Sequence, residues 1–224
     1  MSIAFISVLL VPSLNSLLQS EENKSIRKNK LSIVGLFKDH SDIFAIYIFL
    51  FLGVFFAYAL YALFLPAVAV KYIFSSQLEL AGLAGGAVLH GEFITILANN
   101  IIILIACFLL SLVYGAGSIL FLTWNASAWG VIFGFLARQS AASQNPLVSF
   151  GVFIIPLLPH LITEASSYLS AAIVGGVVSK AALREKLFSK KFNHIITDGL
   201  LLLIFALFLV IIAGFLEVYV FSVL

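Results

Sequence analysis

His160 and Glu164 stand four residues apart in a largely apolar stretch, which puts the imidazole and the carboxyl on one face of a helix. A ring nitrogen beside an acid can exchange a proton, hold a cation, or bind a neighbouring helix by hydrogen bonding. A charge near the centre of a spanning helix costs about 2.5–3.5 kcal/mol on insertion scales, so such a pair usually has a reason to be there. Ser167, Ala171 and Gly175 continue the same stripe, making the face polar at its head and small beyond it. Small residues at that spacing let a second helix approach closely. The stripe therefore reads either as helix packing around one satisfied polar pair or as a proton or cation site. Metal binding is the weakest reading. No helix carries two histidines flanking a glutamate, and His90 and Glu92 would need a loop folded over the membrane. No metal ligand and no cofactor is assigned.

Asn99 and Asn100 open another apolar run, followed by Ser111, Gly115 and Gly117. An amide both donates and accepts, so these asparagines can bridge helices without a charge and are natural partners for His160 and Glu164. Asn125, between Trp124 and Trp129, is expected at a tight turn, with the tryptophans anchoring at the lipid boundary. Pro156 and Pro159 just before His160 predict a helix break, and exposed backbone at membrane depth is tolerated only within protein or beside a cavity. His160, Glu164, Asn99, Asn100 and Asn125 thus form the expected intramembrane polar cluster. Glu217, near the end of the last apolar run, is expected to reach the external interface. No phosphate-cradling glycine loop precedes a lysine, and no nucleophile, base and orienting group can be argued from spacing. The chain is expected not to be an enzyme, an intramembrane hydrolase being a distant alternative.

The elements that position these residues follow from composition. Of the 224 residues, 62% are hydrophobic and 10% charged, against about a quarter charged in an ordinary soluble domain. Lipid offers the backbone no hydrogen bonds, and the apolar runs are continuous rather than alternating, so the class is all-α: a polytopic transmembrane helical bundle. About twenty apolar residues cross a bilayer. The candidate spans are Ile43 to Leu65, Phe93 to Leu122, the short Trp124 to Ala137, Leu147 to Ser179 with a proline break around 156–160, and Gly199 to Val220, giving five to six spans. Residues 1–42 form an apolar segment and charged connector, and residues 43–224 the transmembrane domain. A cleaved signal peptide is not expected, because no basic residue precedes the first apolar run and Pro12 interrupts it. The lone Cys107 lies in an apolar run and reads as packing. Basic residues gather in 24–38 and 180–191, which places both connectors in the cytoplasm with an even number of crossings between them. The external loop carries Gly82, Gly85, Gly86 and Gly91. A formal charge of +2 with scattered lysines argues against nucleic-acid binding.

The order of these landmarks resembles the stage II sporulation protein M family. The paired Asn99 and Asn100, the Gly115 and Gly117 patch, Asn125 and Gly130, the Pro159–His160 pair, Glu164, and Gly175 with Gly176 follow one another across residues 92–178. Likeness extends over about residues 26–219, and the stretches LFKDHSDIFAIYIFLFLGVFFAYALYALFLP and GAGSILFLTWNAS are most similar to the archaeal branch. Relatives there carry further membrane-associated sequence ahead of the connector, so Met1 to Leu18 reads as the tail of such a span. The resemblance implies a membrane component that works alongside cell-wall hydrolases during engulfment in spore-forming bacteria, supplying the membrane part rather than catalysis. The leading expectation is a non-catalytic membrane scaffold or component of an envelope complex. The alternative is a transporter or channel for protons, ions or a small solute that uses His160 and Glu164. Expected partners are membrane lipid, other membrane or envelope proteins and a second copy of the chain, with no nucleic acid.

Overall fold

The computed structural model describes residues 5, 7–13, 16, 41–80, 93–115, 118–140 and 145–223. The basic stretch 24–38, the loop bearing Gly82, Gly85, Gly86, His90, Gly91 and Glu92, and Gly117 lie outside the described residues. Among the described residues every regular element is helical, and five helices are long and apolar enough to cross a membrane.

The first, α1 (Ser41–Phe64), stops where Pro66 disfavours helical backbone at Leu65. Two short helices follow, α2 (Ala67–Ile73) and α3 (Ser75–Leu80). They bury Val70, Phe74 and Leu78 against Ala62, Val131 and Phe135, which closes one end of the bundle. Helix α4 (Phe93–Tyr114) then ends at Gly115, whose φ of 65° is open to glycine and strained for a side chain. The Ser111 hydroxyl donates to Ser118 Oγ at 2.6 Å and ties that turn together.

Helix α5 (Ile119–Ser140) is a full crossing of 22 residues. The expected second span running to Leu122 and the short third span from Trp124 are therefore corrected. The first of these helices ends at Gly115, and the next begins five residues earlier than the hydropathy pattern suggests. Near its start, residues 7–13 lie alongside as a helical segment, where Ser7 Oγ and Thr123 Oγ1 share a hydrogen bond of 2.9 Å.

The longest element, α6 (Pro146–Arg184), has 39 residues and begins with Asn145 accepting a hydrogen bond from the Leu147 amide and Pro146 in the first turn. The break expected around 156–160 is absent, because α6 runs helically through both prolines. Each proline removes one ladder bond, leaving the carbonyls of Val152 and Ile155 without their usual donors. Buried Leu157 and Leu161 hold the segment against α1 and α5, and the Thr163 hydroxyl donates to the Pro159 carbonyl. Tertiary packing therefore outweighs the two lost bonds.

Helix α7 (Lys190–Val223) starts directly after a tight turn, nine residues before the expected Gly199. Ser189 Oγ caps it by accepting from the Phe192 amide.

Helices α5 and α6 are the most enclosed of the five, whereas α1, α4 and α7 show most of their surface outward. That outward surface is apolar, with Phe49, Ile94, Ile102, Val113, Phe208 and Phe215 exposed, as a lipid-facing wall requires. The main packed pairs are α6 with α7, α1 with α5, and α4 with α6. Two of these rest on backbone contact. A Cβ at Gly130 or Gly134 of α5 would collide with the carbonyl oxygens of Phe55 or Ala59 on α1, and one at Gly175 of α6 would collide with the Phe108 carbonyl on α4. The consecutive helices α4 and α5 are not among the packed pairs, and the space left between them becomes the site.

Candidate functional site

The turn at 185–189 folds α6 and α7 back on each other, so residues equally far from residue 187 along the two helices come level. Reflecting position 160 about 187 gives 214, and there α7 meets His160. The His160 Nδ1 lies 3.1 Å from the Ala213 carbonyl oxygen. A carbonyl can only accept, so Nδ1 carries the proton, and Nε2 is turned to the other side of the ring.

Two carboxylates wait on that side. Nε2 is 3.0 Å from Glu164 Oε2 and 3.8 Å from Glu217 Oε2. The pair with Glu164 is the four-residue contact that the helical spacing dictates, and Glu217 comes from one turn beyond Ala213. Glu164 is further held by the Tyr168 hydroxyl, which donates to its Oε1. His160 and Glu164 are each 4% exposed, so neither charge is screened by bulk solvent.

The asparagines converge on the same space. Asn99 and Asn100 from α4, Asn125 with Trp124 and Trp129 from α5, His160 and Glu164 from α6, and Glu217 from α7 line one cavity of about 420 Å³. Asn100 is buried, and its amide nitrogen lies beside Glu217, near enough to interact with the carboxylate but outside good hydrogen-bond geometry. Asn125 donates to the Phe121 carbonyl within its own helix. Exposed Asn99 and Ile102 form the outer rim. Trp129 packs its ring near the His160 imidazole and edge-on to Phe51. A second, largely apolar hollow lies on the other side of Trp129, between α1 and α6, and no ionisable group lines it.

Three expectations change here. Asn125 belongs to the interior of α5 rather than to the turn, because the turn lies at 115–118. Trp129 faces the inside of the bundle beside His160, not the lipid boundary alone. Glu217 turns inward to His160 instead of reaching out to the interface. Sequence reasoning also passed over Tyr168. Its signal was a phenol four residues after Glu164, on the stripe assigned to packing.

The small residues of that stripe are spent inside the chain. Ser167, Ala171 and Gly175 are buried, with Gly175 at the closest approach of α4. Gly115 forms the α4–α5 turn. Pro156 and Pro159 stay on the exposed side of α6, opposite the bundle interior.

A multi-pass helical membrane protein with an ionisable cluster enclosed by four of its helices is the class that this geometry defines. The chain belongs to the stage II sporulation protein M family, whose model matches residues 45–221 and so takes in almost all of the five candidate spans. It has no match among curated proteins or among solved structures.

Proposed function

We propose that this protein is a transporter or channel whose intramembrane pocket takes up protons, ions or a small polar solute through His160, Glu164 and Glu217. The cavity itself carries the reading: about 420 Å³ lined by three ionisable side chains and three asparagines drawn from four helices of the bundle. A cluster used only to join helices would be expected to close on itself. Here the buried Asn100 amide makes no well-formed hydrogen bond with the carboxylate beside it, and the space between α4 and α5 stays open. Ionisable residues at membrane depth that face a cavity mark solute and proton paths. No bond-making or bond-breaking step is assigned.

With both basic stretches on the cytoplasmic side, His160 and Glu217 lie toward the opposite face of the membrane. Reconstitution into liposomes with a panel of protons, monovalent and divalent cations and small solutes tests the proposal. The expected result is flux through the wild-type protein that falls at least tenfold in Glu164→Gln. No flux for any member of the panel, or flux indifferent to both Glu164→Gln and Glu217→Gln, contradicts it.

A membrane scaffold is the second reading, favoured by one observation. Helix α2 presents Val68, Tyr72 and Ile73 at one end of the bundle, each more than half exposed. Another envelope protein would dock there, and crosslinking through a photoreactive residue at position 72 would capture it. Crosslinks to lipid alone would remove this reading.

A further inference from the structure

We infer that His160, Glu164 and Glu217 form a binding site for a divalent transition-metal cation, which makes such a cation the substrate class or resident ion of the pocket proposed above. This inference rests on that pocket being accessible to ions, but it stands or falls by binding rather than by transport.

The imidazole of His160 sets the chemistry. Its Nδ1 proton is committed to the Ala213 carbonyl, so in neutral His160 the nitrogen facing the carboxylates offers a lone pair. Glu164 Oε2 and Glu217 Oε2 are acceptors as well. Three acceptors converge with no donor among them, and two of them carry negative charge when ionised. A proton or a cation must lie among them. A proton on Nε2 can satisfy the 3.0 Å contact with Glu164, but it leaves Glu217 at 3.8 Å, to be neutralised by a proton of its own. A divalent cation balances both carboxylates and uses all three atoms.

The geometry is close to that of a coordination shell. Ligand atoms around a tetrahedral zinc at about 2.0–2.2 Å from the metal stand about 3.3 Å apart. The Nε2 to Glu164 separation, 3.0 Å, is a little shorter than that, and all three ligand atoms lie within 4.8 Å of one another. The remaining closure falls to Glu217, whose side chain is 22% exposed and has room to rotate.

The surroundings are those that metal ligands need. A ligating histidine usually gives its other N–H to a carbonyl or carboxylate, and a ligating carboxylate is itself hydrogen-bonded, which fixes orientation and raises basicity. Ala213 and Tyr168 provide these two bonds. The buried amide of Asn100 lies beside Glu217 without a well-formed hydrogen bond, and it points to the same place, since its nitrogen can donate to the free oxygen of the carboxylate or to a metal-bound water. One nitrogen and two carboxylate oxygens suit zinc, manganese or iron(II) better than copper(I), which prefers sulfur.

The test uses the full chain in lipid nanodiscs, titrated with Zn²⁺ against a chromophoric chelator, and with Co²⁺ for its visible absorption. The expected result is one zinc per chain, at least hundredfold weaker binding in His160→Gln and Glu217→Gln, loss of the cobalt bands in both, and about tenfold weaker binding in Tyr168→Phe. Folded wild-type protein that takes up no zinc overturns the inference. So does zinc binding that is unchanged in both ligand variants, which would put the ion elsewhere, for instance at His194 and Asp198, whose side chains are 3.4 Å apart. If either ligand variant fails to fold, Tyr168→Phe decides alone, because it removes no ligand, and unchanged affinity there also overturns the site. Zinc bound without flux of any cation leaves the site intact and removes transport, whereas proton flux with no zinc bound does the reverse.

Discussion

Tyr168 illustrates how much the site depends on one buried hydroxyl. It is fully enclosed, and its hydroxyl donates to Glu164 Oε1, the oxygen turned away from His160. Hydrogen bonds to charged groups contribute about 1.5–3 kcal/mol, and a buried acceptor left unsatisfied loses on the same scale. Tyr168→Phe is therefore expected to destabilise the protein by about 1–3 kcal/mol, read as a shift of the unfolding midpoint in mixed micelles. Thr163→Val is the control, since its hydroxyl only bonds back to its own helix, and its effect should stay within about 0.5 kcal/mol. A shift for Tyr168→Phe no larger than the control would remove the phenol from the site. At this scale the sequence was informative wherever spacing along one helix decided contact. His160 with Glu164 is such a case, and the asparagine pair was visible because polar residues in hydrocarbon require partners. Glu217 was missed because its position near the end of the last apolar run allowed a cheap exit to the interface. Only the hairpin register shows that it faces His160.

Between helices, glycine decides how near two backbones come. Gly130 and Gly134, one turn apart on α5, lie directly over the α1 backbone, and Gly175 lies over α4. Side chains there have nowhere to go, because the obstructing atoms are carbonyl oxygens rather than flexible tips. Gly134→Ala is expected to cost about 1–3 kcal/mol through displacement of α1. Gly151→Ala is the matched control, as nothing lies near its would-be Cβ, and it should change stability little or raise it slightly through better helix propensity, by up to about 1 kcal/mol. Equal midpoints for the two variants in a thermal unfolding assay would contradict the packing. Element type was readable from continuous apolar runs, and Pro66 marked the end of α1. Element boundaries were less so. The prolines of α6 suggested a break because local propensity says nothing of Leu157 and Leu161, which anchor the helix on either side of Pro159. The α4–α5 turn was placed too late because Ile119 to Leu122 are as apolar as the helix before them, and the positive φ of Gly115 is invisible to hydropathy.

For the molecule as a whole, the decisive feature is that two helices adjacent in the chain are not packed together. Helix α4 is held by α6 and α7, while α5 is held by α1 and α6, and the polar cavity occupies the resulting gap. Nothing in the hydropathy of α4 or α5 encodes that separation, because it follows from which helix each glycine lets approach. The central claim is that this gap is a hydrated pocket inside the membrane domain. It is tested most directly by thiol accessibility. Cys107 is the chain's single cysteine and is fully buried, so a Cys107→Ala background accepts single cysteines at Asn125, which lines the cavity, and at Ala172, which is enclosed in the packed core. A small, charged methanethiosulfonate reagent reacts only where water reaches the thiol. The account predicts modification of Asn125→Cys in intact proteoliposomes at least tenfold faster than that of Ala172→Cys, and slowed by Glu164→Gln if the carboxylate draws the cationic reagent inward. Equal, negligible reaction at both positions in folded protein would contradict it.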